Sequence, residues 1–188
     1  MRTLARRGQA PPDAAEDQAL DRALARARSG DEAAFAAVYR HVHPGLLGYL
    51  RGMVPDRAET VAAVTWQEIA RELPGYRGDG HGFRVRTTRT ARRLAHAEDR
   101  RAPAASAAPV VHLLADLPRP QSEAILLRHV VGLTEPETAH VLRVPRAAAR
   151  LLTHRGLLTL AKRMGADDAA GEVARAMRTT PAGDAPGG

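Results

Sequence analysis

The stretch that decides the fold is LTEPETAHVLRVPRAAARLLTHRGLLTLAKRM, residues 133–164. Thr134 is placed to cap a first helix, and Glu137, three residues later, is placed as its reciprocal capping-box partner. Pro136 is compatible with a first helical turn, where backbone amides have no intrahelical acceptor to lose. Pro145 ends that helix, because proline disfavours the α conformation in the residue before it. The sequence therefore predicts a helix-turn-helix whose second helix starts near residue 146.

The predicted second helix carries a row of basic side chains. Arg146, Arg150 and His154 fall at i, i+4 and i+8, which places them along one face. Such a face suits a nucleic-acid groove, where arginine neutralises phosphates and binds the edge of guanine. A helical hairpin with a solvated arginine face is the alternative that this pattern leaves open. We expect DNA contacts in this half of the chain from Arg143, Arg146, Arg150, His154 and Arg155.

Composition favours an all-α fold with a polyanionic partner. The chain has 188 residues, enough for one ordinary domain or two small ones. Only 3% of residues are aromatic, so the core must consist of Ala, Leu and Val, which suits small helical bundles better than β-sandwiches. The formal net charge is +7, and Lys162 is the single lysine among the basic residues. This balance favours nucleic acid as a partner.

Several classes of function are excluded or disfavoured. The chain has no cysteine, which excludes disulfides, thiolate metal sites and cysteine nucleophiles. No apolar run approaches the roughly 20 residues of a membrane helix, and the N-terminus lacks the apolar core of a signal peptide, so we expect a cytoplasmic protein without a membrane partner. The eight histidines are scattered, and no GxxxxGK[ST] or GxSxG motif is present. We therefore expect no metal, no cofactor and no enzymatic activity.

The apolar pattern predicts two small helical domains joined by a flexible linker, the second with the helix-turn-helix. The clearest amphipathic helix covers residues 32–54, where Pro44 is expected to bend or split it. A third helix starts at Pro55 with Val61, Val64 and Ile69 on its apolar side, and a later helix places Ile125, Leu126 and Val130 inward. The predicted boundaries are a disordered arm at 1–13, a helical domain at 14–101, a linker at 102–109, a second domain at 110–164 and a mostly disordered tail at 165–188.

An arginine-rich segment follows the predicted flexible loop GYRGDGHG at 75–82. Residues 83–101, FRVRTTRTARRLAHAEDRR, contain seven arginines and only a thin apolar side. A phosphate-contacting helix and a solvated, marginally ordered helix are both compatible with this composition. The candidate DNA-contacting residues in this segment are Arg86, Arg89, Arg92 and Arg93.

Two segments resemble the extracytoplasmic-function (ECF) group of sigma-70-type factors. ARARSGDEAAFAAVYRHVHPGLLGYL at 25–50 resembles the start of region 2, and LADLPRPQSEAILLRHVVGLTEPETAHVLRVP at 114–145 resembles region 4. The resemblance implies that the first domain binds the clamp of core RNA polymerase and melts the minus-ten promoter element. It also implies that the helix-turn-helix binds the minus-thirty-five element of promoter DNA. No catalytic residue is implied.

The chain departs from the family pattern at three places. The clamp-docking run resembles AEDVAQETW in the family and reads AETVAAVTW here, so Glu59 and Trp66 remain as the residues implied to bind RNA polymerase. Each lost charge-assisted bond is worth about 1.5–3 kcal/mol, so we expect weaker polymerase binding. In the recognition helix, Ala148, Leu151 and Leu152 replace hydroxyl and basic groups, so we expect altered sequence specificity. In the arginine-rich segment, Arg86, Thr87 and Thr88 stand where the family has a tryptophan and two large apolar residues. In the turn of the helix-turn-helix, Arg143 stands where the family has a glycine.

Three functional hypotheses follow. The first is an ECF-like sigma factor that binds core RNA polymerase and promoter DNA in transcription initiation. The second is a degenerate sigma-like regulatory protein that binds an anti-sigma factor or another regulator without initiating transcription. The third is a DNA-binding regulator that acts through its C-terminal helix-turn-helix alone.

Overall fold

Every regular element that the structure describes is helical, which confirms the predicted all-α class. The structure is a computed structural model that describes residues 12–99, 114 and 117–179, with only the backbone at 12–15, 164 and 166–179. The predicted linker at 102–109 and all but the last two residues of the predicted arm lie outside the described residues. The described helices are α1 (Pro12–Ala27), α2 (Glu32–Met53), α3 (Ala58–Glu72), α4 (Gly80–Asp99), α5 (Arg119–Ile125), α6 (Glu135–Leu142) and α7 (Arg146–Thr179). None of them is both long and apolar enough to cross a membrane.

Helix α2 is the central element of the first half of the chain, which comprises α1 to α4. Asp31 caps it, since its carboxylate accepts a hydrogen bond from the backbone N–H of Ala34 at 2.9 Å. Its buried face includes Val38, Leu46 and Leu50, in agreement with the predicted amphipathic pattern, and also Tyr49, which that pattern did not include. The helix runs through Pro44 as one element, so the predicted split does not occur.

Helices α3 and α4 pack beside α2 with two differences from the prediction. Val61 and Ile69 are buried as predicted, but Val64 is 37% exposed, because it lies on the opposite side of α3 from that apolar stripe. Helix α4 begins at Gly80, so the last residues of the predicted loop are helical. Its buried face is built from Phe83 and small side chains, namely Thr87, Thr88, Ala91 and Ala95.

The second half of the chain, which comprises α5 to α7, packs directly on α2. Gly45, Gly48 and Gly52 form a stripe on α2 at three- and four-residue spacing. A Cβ atom at Gly45 would lie 3.0 Å from the carbonyl oxygen of Val130, and one at Gly52 would lie 2.6 Å from Cδ1 of Leu126. Only glycine permits so close an approach. The two halves therefore share one core, in which Leu126, Leu127, Leu133 and Val141 join the residues of the first half.

Helix α5 continues into a π-helical turn at Leu126–Val130 that delivers these contacts. Ile125 and Leu126 are buried as predicted, whereas Val130 is 41% exposed. Val130 lies at the end of the turn, where only one side of it contacts the α2 glycines. Helix α7 extends to Thr179, beyond the predicted domain boundary at residue 164.

Candidate nucleic-acid interface

The helix-turn-helix is formed by α6, a tight turn and α7. Thr134 caps α6, and both bonds of the predicted capping box are present. The backbone N–H of Thr134 donates to the Glu137 carboxylate at 2.7 Å, and the N–H of Glu137 donates to the Thr134 hydroxyl at 3.4 Å. Arg143 ends α6 in the left-handed conformation, with φ 59° and ψ 45°. This turn sets the direction of α7.

The exposed face of α7 carries four of the predicted DNA-contacting residues. Arg146, Arg150, His154 and Arg155 are all exposed. The opposite face is packed, because Ala149 and Gly156 are buried, and a Cβ at Gly156 would lie 2.6 Å from Cδ1 of Ile125. The basic face is therefore held outward by close packing against α5.

The same face of α7 is also apolar to an unusual degree. Leu151, Leu157 and Leu158 are 46%, 41% and 49% exposed. Residues 146–164 include no Asp or Glu. The surface thus combines positive charge with exposed leucines. Leu151, one of the positions where the recognition helix departs from the family pattern, is among these exposed residues.

Arg143 belongs to a different surface. It lines a cavity of about 600 Å³ between α4 and α6, together with the four candidate arginines of α4. Three of those arginines pair with acids: Arg86 with Glu72, Arg92 with Glu123 and Arg93 with Glu68. The structure therefore brings Arg143 together with Arg86, Arg89, Arg92 and Arg93, and this group lines a cavity in which the α7 residues take no part.

Glu123 is a buried acid that the sequence interpretation missed. It is 3% exposed and accepts hydrogen bonds from the Tyr49 hydroxyl at 2.8 Å and from Nε of Arg92 at 2.7 Å. Burial, followed by the neighbouring Glu123 carboxylate, raises the pKa of Tyr49 well above its ordinary value, so the phenol stays protonated as a donor. The signal in the sequence was a carboxylate directly before the apolar run Ala124–Leu127. Such an acid must find partners when the run is buried.

The two residues implied to bind RNA polymerase lie in contrasting environments. Trp66 is 6% exposed and contacts the tilted ring of Tyr39 at 4.8 Å between ring centroids. Its Nε1 donates to Nδ1 of His43 at 3.2 Å. Glu59 is exposed and accepts from the Arg51 guanidinium at 2.8 Å, and this bond lowers the pKa of the Glu59 carboxyl. Glu59 is available at the surface, whereas Trp66 mainly supports the core.

The histidines do not form a metal site among the described residues. His81 contacts Asp17 at 2.9 Å and Glu137 at 3.6 Å, which links α4 to both α1 and α6. Burial, and then the Arg84 guanidinium, lower the pKa of His41. Of these contacts, the one between His81 and Glu137 joins the two halves of the chain.

The second half matches a known family. The model for sigma-70, region 4, matches residues 108–160, a segment that contains the whole of α5, α6 and the helix-turn-helix turn. Residues 108–160 are therefore similar to region 4 of the sigma-70 family. The five candidate residues of the second half, Arg143, Arg146, Arg150, His154 and Arg155, all lie within this sigma-70 region 4 segment.

One solved structure shares the fold over most of this chain. A chain in "Structure of CnrH in complex with the cytosolic domain of CnrY" aligns with a TM-score of 0.60 at 22% identity, over 79% of this chain and 99% of that chain. A chain of the RsbN-BldN complex aligns over 74% of this chain and 97% of that chain at 25% identity, with a TM-score of 0.37. Comparison with curated proteins gave no significant match. The match to the first structure extends the fold likeness well beyond region 4.

Proposed function

We propose that this chain is an ECF-type sigma factor that directs core RNA polymerase to promoters. The observation that carries this proposal is the capped helix-turn-helix, which lies within the region 4 match and presents an outward basic face on α7. In this role the chain binds promoter DNA and the polymerase in the cytoplasm. The polymerase supplies the catalysis.

The proposed DNA contacts on α7 fall into two kinds. Arg146 lies in the first turn of α7, where a guanidinium suits a phosphate contact, while Arg150 and His154 lie further along the face that would enter a groove. Replacing a phosphate-contacting arginine weakens binding on all sequences and reduces the slope of affinity against salt by about 1, whereas replacing a base-reading residue relaxes specificity.

The proposed polymerase contact is the surface of α3 around Glu59. Thr60, Ala63 and Val64 are exposed on this helix, at the positions where the family resemblance implies polar groups. Trp66 supports the surface from the core side. We therefore propose a polymerase affinity lower than that of relatives with the full acidic docking run.

Reconstitution with core RNA polymerase tests the proposal. The purified chain is mixed with core enzyme at about 50 mM salt, then scored for co-elution and for promoter-specific transcripts from a library of upstream sequences. We expect both, and we expect Arg150→Ala to reduce transcription while Arg22→Ala, an exposed change on α1, leaves it unaltered. Absence of both co-elution and specific transcripts overturns the proposal.

A second candidate function is supported by the apolar character of the same surfaces. Exposed leucines on α7 and exposed Val64 on α3 fit a protein partner better than DNA or an acid-docking clamp. In this candidate the chain is a sigma-like regulatory protein that binds an anti-sigma factor or another regulator without initiating transcription.

One double variant separates the two candidates. Leu151→Ser and Leu158→Ser remove exposed apolar area from α7 and keep every arginine. A sigma factor that reads DNA through arginines retains promoter binding in this double variant. A regulatory protein that binds its partner through these leucines loses that partner in the variant. The second candidate is therefore favoured by two results together: the wild type fails to support transcription, and it pulls down a single regulator that the variant does not bind.

A further inference from the structure

The cleft between α4 and the C-terminal end of α6 has an unusual lining. Its volume of about 600 Å³ lies within the range of small-molecule sites in proteins. Most of its polar lining is positively charged, and a single carboxylate, from Glu72, is among the lining residues. The basic lining residues are Arg86, Arg89, Arg92, Arg93, His140 and Arg143.

Two arginines of this lining form ion pairs with acids of α3. Arg86 binds Glu72, and Arg93 binds Glu68, both across the α3–α4 contact. Because Arg86, Arg89 and Arg93 follow i, i+3 and i+7 spacing, they lie along one side of α4. The outer two are held by acids of α3, and the central one is not.

Arg89 is the residue that ion pairing does not explain. Its Nη1 atom lies 3.2 Å from Nε2 of His140, and the structure shows no carboxylate paired with it in the part of the chain that is described. A guanidinium can only donate, so this contact is a hydrogen bond to the lone pair of Nε2, and it supplies no negative charge to Arg89. An anion in the cleft would supply the negative charge that Arg89 does not meet elsewhere in the described part of the chain.

Arg143 supplies an independent observation. It is the single non-glycine residue with positive φ among the described residues, and glycine is the residue that favours this position at the end of a helix. A strained backbone that carries a functional group into a cavity is typical of ligand sites. Here the residue with this backbone is an arginine that lines the same cleft as Arg89.

We propose that this cleft binds a small polyphosphate-bearing anion through Arg89, His140 and Arg143. Guanidinium groups match phosphate oxygens with paired hydrogen bonds, and two such groups on opposite walls suit adjacent phosphates. Arg89 comes from the first half and the other two residues come from the second, so the bound anion bridges the halves. An open cleft of about 600 Å³ suits a free polyphosphate or the phosphate tail of a nucleotide.

Calorimetric titration of the full chain tests this site. The probes are sodium tripolyphosphate and ATP at about 100 mM salt. We expect Arg89→Ala and Arg143→Gly each to weaken binding at least tenfold, and the matched control Arg22→Ala to change it less than twofold. Arg143→Gly also relieves the backbone strain, so its melting temperature should rise while binding falls, which rules out unfolding as the cause.

Three outcomes overturn the site. One is absence of binding by the wild type, and another is an equal loss in Arg22→Ala, which would indicate a general charge effect. The third is tighter binding of an eight-nucleotide single strand than of tripolyphosphate with the same dependence on Arg89, which would assign the cleft to nucleic acid. The assay contains neither promoter DNA nor polymerase, so its failure leaves the proposed sigma factor function untouched, and the converse also holds.

Discussion

The helix-turn-helix and helix α4 both present arginines, but different interactions hold them in place. In the helix-turn-helix, the capping box joins residues three apart, and it fixes the start of α6 before α7 packs on α5. On α4, Arg86 depends on Glu72, Arg93 on Glu68 and Arg92 on Glu123, which lie 14, 25 and 31 residues away. The cap and turn of the helix-turn-helix are specified locally, whereas the ion pairs that hold the α4 arginines form only when separate parts of the chain meet.

The largest expected effect is at the buried acid. Glu123→Ala leaves the Tyr49 hydroxyl and the Arg92 guanidinium without their shared partner, and breaking a buried pair of this kind costs about 3 kcal/mol of the free energy of unfolding. Urea denaturation measures it. The control is Glu72→Ala, whose ion pair with Arg86 is exposed and should contribute less than about 1 kcal/mol. Equal losses would contradict the difference between buried and surface partners.

The next effect comes from the close approach of the halves at Gly48. A Cβ there would lie 2.6 Å from Cγ1 of Val130, so Gly48→Ala should destabilise the wild type by about 2 kcal/mol through overpacking. With Val130→Ala also present, the clash disappears. The same change should then stabilise the protein by about 1 kcal/mol, because alanine is the better helix former. Thermal unfolding of the four proteins gives the coupling, and simple additivity would show that the halves do not pack here.

A smaller and purely local effect is expected at the helix cap. Thr134→Ala removes the side-chain cap of α6 and should cost about 1 kcal/mol of unfolding free energy. Thr134→Ser keeps the hydroxyl and serves as the control. Since the cap is local, this loss should add to that of Glu123→Ala without coupling. A coupling as large as either single effect would contradict the local origin of the helix-turn-helix.

The smallest effect is a pH dependence at the junction. The folded chain lowers the pKa of His41 below 6.5, so the unfolded chain binds more protons near that pH, and the stability from this residue falls as pH decreases through 6.5. Between pH 7.5 and 5.5 the melting temperature should decrease, and His41→Gln should make this decrease smaller. His43, whose pKa is also lowered by burial, retains part of the slope. An unchanged slope in the variant would locate the effect elsewhere.

Sequence alone predicted the parts of the fold that local chemistry controls. The capping box of Thr134 and Glu137, the helix start at Arg146 and the amphipathic face of α2 all follow from spacing and capping, and all are present. The errors at Val64 and Val130 arose because an apolar residue at a helical position was assumed to face inward. At both places the packing partner is on another side.

The junction of the halves could not be read from spacing in one segment. Tyr49 and Glu123 are 74 residues apart, and no local pattern reports that they meet. Gly45, Gly48 and Gly52 were nevertheless a usable signal, because glycine is unfavourable inside a helix unless something approaches closely. The roles of the candidate DNA-contacting and polymerase-contacting residues remain predictions, since placement at a surface does not identify what binds there.

The glycine stripe of α2 also has a consequence for how the chain unfolds. Three glycines at about 0.8–1 kcal/mol each, together with Pro44, make residues 32–53 a poor helix in isolation. The middle of α2 therefore depends on Leu126 and Val130 for its stability. Removal of the second half should therefore destabilise the first. We expect the rates of amide hydrogen exchange in α2 and α5 to rise or fall together, because the two helices belong to one cooperative unit.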